Sequence, residues 1–147
     1  MALINRRARH EYHILENFEA GIILTGPEVK SLRAGQANLA EAHCIIRNGK
    51  TLLIGCHISA YKPAAMQNPS DPARSRQLLL HSSEISRLTG KLREKGLTLV
   101  PLKLYFNERG FAKLQIGLCR GKKLYDKRQA LKDRDVKRHL ERQYKQH

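Results

Sequence analysis

Short apolar runs bounded by turn residues recur along this chain and read as strands joined by hairpins. Residues 10–16 and 21–25 read as two short strands with 17–20 between them. A helix is predicted over 27–34. Pro27 suits its first turn, where the missing N–H would be unpaired anyway, and Thr25 and Glu28 have capping-box spacing. Val29 and Leu32 share a face, and Gly35 ends the helix. Strands at 42–47 and 51–58 flank Asn48-Gly49, a strong hairpin signal because both residues tolerate positive φ. Residues 62–76, with Pro63, Pro69, Asp71 and Pro72, read as a long mobile or binding loop. A strand at 76–81 holds Leu78-Leu79-Leu80. Then Ser82 or Ser83 caps a helix over 83–95, striped by Ile85, Leu88 and Leu92 and closed by Gly96. Strands at 97–106 and 111–118 form a hairpin around residues 107–110. Pro101 places its strand at an edge or a bulge.

This gives six or seven strands and two short helices, with strands joined mainly by hairpins. The pattern predicts a mainly β fold with short helices, a small closed antiparallel barrel of the oligonucleotide-binding (OB) type. The pattern changes at Gly121. Residues 121–147 carry only the thin stripe Leu131, Val136, Leu140 and Tyr144 in a charged sequence. So few apolar groups do not offset the entropy of ordering. The expectation is a barrel over 1–120 and a basic tail over 121–147, disordered when free and helical on RNA. A C-terminal helix docked on the barrel is the alternative.

Charge sharpens this picture. The chain of 147 residues has 28 Lys+Arg against 13 Asp+Glu, a formal net charge of +15. The default partner of such a field is a polyanion, most often nucleic acid. The tail alone holds ten Lys/Arg and four Asp/Glu, a net of +6 in 27 residues, and the amino end adds Arg6, Arg7, Arg9 and His10. With five Tyr, three Phe and no Trp, extensive base stacking is disfavoured. Recognition of a folded RNA through phosphates, ribose hydroxyls and shape fits better.

Other classes find little support. Cys44, Cys56 and Cys119 have no C-x-x-C or ligand spacing, so neither a disulfide framework nor a metal site is expected. The histidines form no H-E-x-x-H helix, and there is no nucleophile elbow or phosphate loop. No catalytic residue and no cofactor is predicted. No apolar stretch nears the roughly 18 residues of a membrane span, and the start lacks an apolar signal region, so a cytoplasmic protein is expected. A structural ribosomal RNA binder and an RNA-modifying enzyme remain as alternatives at this point.

Several segments narrow the choice. They are Asn5-Arg-Arg-Ala-Arg-His-Glu-Tyr12, Phe18-Glu-Ala-Gly21, Glu28-Val-Lys-Ser-Leu-Arg-Ala-Gly35, Asp71-Pro-Ala-Arg-Ser-Arg-Gln-Leu-Leu-Leu80 and Gly121-Lys-Lys-Leu-Tyr-Asp-Lys-Arg128. In this order they resemble the SsrA-binding protein family of bacteria, also called small protein B, over essentially the whole chain. Gln77 and Cys119-Arg120 depart from the family's usual residues. The resemblance implies a non-catalytic protein with a six-stranded OB-type barrel and a basic tail. It implies a monomer that binds transfer-messenger RNA at its tRNA-like domain and escorts it to stalled ribosomes. Elongation factor Tu is met only indirectly, through the charged RNA, and no membrane is involved.

By the same resemblance, Glu19, Leu79 and Lys113 belong to the RNA-binding surface, with Arg6, Arg7, Arg9 and Lys30 as backbone contacts. From the residues alone Leu79 reads as core, at the centre of a leucine triplet, and Glu19 and Lys113 read equally as solvated positions. The tail residues Lys122, Lys123, Tyr125, Asp126, Lys127 and Arg128 are implied to act at the small-subunit decoding centre. Lys132, Arg134, Lys137 and Arg138 would track the empty mRNA channel.

Overall fold

The computed structural model describes residues 2–60 and 71–122. In chain order the elements are β1 (Ala2–Ile4), α1 (Arg6–Glu11), β2 (Tyr12–Ile22), α2 (Gly26–Arg33), β3 (Ala37–Asn38), β4 (His43–Arg47), β5 (Lys50–Ile54), β6 (His57–Ile58), β7 (Arg76–Leu79), α3 (Ser82–Lys91), β8 (Leu97–Phe106) and β9 (Ala112–Gly121). The chain is mainly β with a few short helices. Six strands pair in the circuit β8-β4-β5-β7-β2-β9, and β9 returns to β8, closing a ring. Every pairing in it is antiparallel. β1 adds to β8, while β3 and β6 form a separate two-stranded sheet.

The ring encloses the main core. Ala20 and Ile22 of β2, Leu53 of β5, Leu78 of β7, Leu99 and Leu104 of β8, and Leu114, Ile116 and Leu118 of β9 are buried together with Leu32 of α2 and Leu88 of α3. Each fully buried Leu or Ile contributes about 1.5–3 kcal/mol of hydrophobic stabilisation. Both hairpins predicted from the sequence form. Asn48 has φ 52° and Gly49 φ 75°, as a two-residue turn requires. The capping box at α2 is also present: Thr25 Oγ1 accepts from Glu28 N at 3.3 Å, and Thr25 N donates to Glu28 Oε1 at 2.9 Å.

Four local expectations are corrected. Residues 17–20 do not interrupt a strand, because β2 runs through them for 11 residues in all, with Asn17 and Glu19 exposed and Phe18 and Ala20 turned toward the core. The strand expected over 51–58 breaks at Gly55, whose φ is 75°; a Cβ there would stand 2.8 Å from the Glu41 carbonyl oxygen, and β6 beyond it joins β3 instead. α3 begins one residue earlier than either serine cap allows, with His81 as N-cap donating its N–H to Glu84 Oε1 at 3.1 Å. It also ends at Lys91, before the expected 95. Finally, β1 and α1 are additional elements, α1 occupying residues read as the start of a strand.

Buried charge ties α2 to β7. Arg76 is fully buried, and its Nε donates to Glu28 Oε2 at 2.7 Å. Its other nitrogens reach the carbonyls of Cys56 at 2.6 Å, Pro72 at 3.0 Å and Arg74 at 3.1 Å. Arg74 donates to Glu28 as well, its Nε to Oε2 at 3.1 Å. Burial alone would raise the Glu28 pKa, but bonds from Arg74, the Thr25 N–H and Arg76 outweigh it and hold the carboxyl below the ordinary glutamate range.

Candidate nucleic-acid interface

The outer surface of β2, β8 and β9 is divided into a covered half and a bare half. Register shifts fall at Ile14/Glu16 in β2 and at Pro101/Lys103 in β8. Each extra residue bends its strand and re-aims the side chains beside it. On one side of the shifts, α1 packs Ala8 against Val100, Leu102 and Cys119, with Tyr12 and Ile14 alongside, in a second small core. Asn5 pins the helix: its Oδ1 accepts from Ala8 N at 3.2 Å and its Nδ2 donates to Pro101 O at 2.8 Å. Gly117 lies beneath, where an added Cβ would sit 2.8 Å from Leu102 Cδ1.

On the other side the strands are uncovered. Strand register aligns Leu79 with Gly21, Gly21 with Lys113, and Lys113 with Tyr105. The adjacent row aligns Glu19 with Gln115 and Gln115 with Lys103. Two open hollows lie here. One, of about 500 Å³, is lined by Glu19, Gly21, Leu79, Leu80, His81, Glu84 and Lys113. The other, of about 490 Å³, is lined by Asn17, Phe18, Glu19, Lys103, Tyr105 and Gln115. Glu19 is common to both.

Glu19 is held in place. Tyr105 Oη donates to its Oε2 at 2.6 Å, and Lys103 Nζ lies 5.3 Å from the centre of the Tyr105 ring. Burial first, and then the bond to Glu19 and its charge, push the Tyr105 phenol up to about 12. It therefore stays a donor across the physiological range.

The structure thus brings Glu19, Leu79 and Lys113 together. Leu79 is 54% exposed, so the core reading of that residue is corrected; Leu78 is the buried member of the triplet, at 2%. Arg6, Arg7 and Arg9 do not join this group. They lie on α1, at the start of β2, and the strand rise of about 3.3 Å per residue sets Tyr12 and Glu19 about 23 Å apart. Arg6 and Arg9 are exposed. Arg7 is paired with Glu11 at 2.9 Å and also with Glu41, which reduces its charge available to a phosphate. Lys30 is exposed on α2, away from both hollows. Lys122 Nζ donates to Arg9 O at 3.2 Å, so the chain leaves β9 against α1. Lys123, Tyr125, Asp126, Lys127, Arg128, Lys132, Arg134, Lys137 and Arg138 lie outside the described residues.

Tyr105, Lys103 and Gly21 were not singled out from the sequence. Only strand register places them beside Glu19, and no local motif encodes that register. All three cysteines are buried. Burial pushes the Cys56 and Cys119 thiols up to about 11 and Cys44 higher still, which keeps them protonated. Among the described residues no three His, Cys, Asp or Glu side chains gather as metal ligands, and no helix is long and apolar enough to cross a membrane.

A six-stranded β-ring with two shallow hollows on its outer face, on a chain of net charge +15, defines a small basic β protein. Comparison with known proteins identifies the group: the family model described as SmpB protein matches residues 2–146, and the chain belongs to that family. It is 56% identical over 138 residues to the SsrA-binding protein of Desulforamulus reducens, covering 94% of this chain and 85% of that one. It is 52% identical over 146 residues to the SsrA-binding protein of Chlorobaculum tepidum, covering 99% and 92%. A chain from the structural study "tmRNA-SmpB: a journey to the center of the bacterial ribosome" matches at 54% identity and a TM-score of 0.69, covering 82% of this chain and 84% of that one.

Proposed function

We propose that this chain binds transfer-messenger RNA at its tRNA-like domain and delivers it to stalled ribosomes, the rescue process of trans-translation. The observation that carries the reading is membership of the SmpB protein family over residues 2–146, with SsrA-binding relatives more than half identical across nearly the whole chain. The bare outer face supports it, since Glu19, Leu79 and Lys113 converge there on a chain of net charge +15.

On this reading the six-stranded ring is an OB-type barrel. Its antiparallel closure through β8 supports that assignment. The barrel takes the RNA, with Lys113 beside Glu19 and Leu79, and with Arg6, Arg9 and Lys30 offering phosphate contacts elsewhere on the surface. Residues 121–147 act separately, as a basic tail. Lys122, Lys123, Tyr125, Asp126, Lys127 and Arg128 address the decoding centre, and Lys132, Arg134, Lys137 and Arg138 follow the vacant mRNA channel. Intact message excludes the tail by volume and by charge, so the absence of a codon is sensed without reading a sequence. The protein works in the cytoplasm as a monomeric binding factor and not as an enzyme. It meets elongation factor Tu only through the charged RNA.

The test separates barrel from tail. A chain truncated after Lys123 is expected to bind transfer-messenger RNA almost as the full chain does, with an affinity that falls steeply with salt, and to fail in tagging stalled peptides. Loss of RNA binding on truncation would refute this division of labour.

A further inference from the structure

We infer that α1 is the aiming platform of the basic tail: Lys122, the residue after β9, bonds the carboxyl end of α1 and sets the heading with which residues 123–147 leave the barrel. The inference rests on the separate roles of barrel and tail proposed above, and makes Lys122 a positioning residue between them.

α1 holds its place without help from Lys122. A helix of six residues does not keep its shape alone in water, and this one is fastened at three points. At its start, the Asn5 N–H donates to Leu102 O at 2.8 Å, and Asn5 Nδ2 donates to Pro101 O at 2.8 Å and to Leu39 O at 3.3 Å. In its middle, Ala8 is buried against Val100, Leu102 and Cys119. On its outer side, Arg7 pairs with Glu11 at 2.9 Å and with Glu41 beyond the helix.

The carboxyl end of α1 meets the chain as it leaves β9. The last carbonyls of a helix lack partners within it. That of Ala8 accepts from the Tyr12 N–H, and that of Arg9 accepts from Lys122 Nζ at 3.2 Å. A cation there also faces the negative end of the helix dipole. Tyr12 is aligned with Gly121, so the contact falls on the first step beyond the sheet. Packing does not hold that step, since a Cβ added at Gly121 would meet no atom within 4 Å.

The heading matters because the tail is a polycation. Residues 121–147 carry a net charge of +6, and an RNA held on the barrel attracts them as the phosphates of a ribosomal channel do. Lys122 ties the root of the tail to the end of β2 that lies about 23 Å from Glu19. A segment launched in one direction also reaches a second site at higher effective concentration than one swinging on a free joint. The Lys122 ammonium group thus acts on the decoding centre through the residues that follow it.

The experiment reads the heading before any ribosome is met. Nitroxide labels are placed on the full chain at Arg109→Cys, in the exposed β8–β9 turn, and at Leu124→Cys. The three native cysteines are buried, so the labels go to the added ones. Pulsed electron spin resonance then gives the distribution of label distances in the free protein. A free joint of three residues spreads over about 10 Å by random-chain scaling, and the chain with Lys122 should be several ångström narrower than that. Lys122→Met should broaden the distribution and slow tagging of stalled peptides about fivefold, the population bias of one exposed charged hydrogen bond. Lys122→Arg, which offers a donor to the same carbonyl, should restore both. A lysine acting only by touching ribosomal phosphates would leave the width in free protein unmoved. Equal widths with Lys122 and with Lys122→Met, or a broadening that leaves tagging unchanged, would overturn the inference. The distances need no RNA, so they stand apart from the proposed RNA-binding role, which fails if the native chain does not bind transfer-messenger RNA.

Discussion

Replacing Arg76 with methionine keeps side-chain length and removes every polar contact of the guanidinium. Arg76 is fully buried, so no water replaces those contacts. Removing one member of a buried ion pair costs about 3–5 kcal/mol, because the partner charge is left desolvated. Two features set where in that range the loss falls. Arg74, 31% exposed at its side chain, still reaches Glu28, which moves the cost toward the lower end. The Cys56 carbonyl loses its guanidinium donor, whereas the Pro72 carbonyl keeps the Ile58 N–H at 3.0 Å, and one unsatisfied buried acceptor adds about 1–3 kcal/mol. The expected loss is therefore about 4 kcal/mol, a large part of the roughly 5–15 kcal/mol that stabilises a domain. Arg74→Met, by contrast, removes the more exposed pair and should cost about 1 kcal/mol. Urea unfolding followed by far-ultraviolet circular dichroism measures both, with an unchanged m-value as the sign of an unchanged unfolded state. The same network fixes a pH dependence. The Glu28 carboxyl is held below its ordinary value in the folded chain. Its contribution is complete above the unfolded-state pKa and drains away as pH falls through the folded one. Arg76→Met should flatten that acid limb. Equal costs for the two arginines, or an acid limb unaltered by Arg76→Met, would refute the account of a buried clamp centred on Arg76.

Three further outcomes follow from the same geometry. Gly117→Ala drives a methyl into Leu102 Cδ1 at 2.8 Å and Cys119 Sγ at 3.1 Å; overpacking of this kind costs about 1–3 kcal/mol, and a melting temperature unchanged from the native chain would refute it. Leu78→Ala should cost about 2–5 kcal/mol at a fully buried site, whereas the exposed neighbour Leu79→Ala should change stability by less than about 0.5 kcal/mol and weaken RNA binding; urea titration and RNA affinity measured on both variants check the contrast. Ultraviolet titration should find one tyrosine ionising near 12, Tyr105, and Glu19→Gln should lower that value part of the way, since burial persists when the hydrogen-bonded charge is gone.

The legible parts of the fold were those coded locally. A two-residue turn at Asn48-Gly49, a capping box at Thr25 and Glu28, and the hairpin around 107–110 each depend on neighbours within a few positions. What was missed depended on partners far away in sequence. Residues 6–11 carry one buried apolar side chain, Ala8, so no stripe announces a helix. α1 exists because Asn5 bonds across 96 positions to Pro101 and because Ala8 lands on Leu102 and Cys119. The polar residues Asn17 and Glu19 looked like a break for a similar reason. They belong to the bare outer row of a continuous strand, and a strand with one wet face carries polar residues at every second place. Leu79 fell on the wrong side for want of register: a triplet of leucines must put its middle member opposite the other two, and only the pairing with β2 says which side is inside.

Position along β2 then explains how one strand serves two purposes. Its first half, before the register shift, contributes Tyr12 and Ile14 to the small core beneath α1. Its second half contributes Glu19 and Gly21 to the open face. Were Leu15, which is 51% exposed, paired in regular register with β9 and not bulged, the alternation of one half would be imposed on the other. Ile14 would then share the inner side with Phe18, and α1 would lose its footing. The bulge therefore lets the same edge of the ring be sealed at one end and left open at the other. Asn5, Pro101 and Gly117 hold the sealed end, through the Asn5 bond to the Pro101 carbonyl and the close approach of Leu102 to Gly117, although none of them lines either hollow.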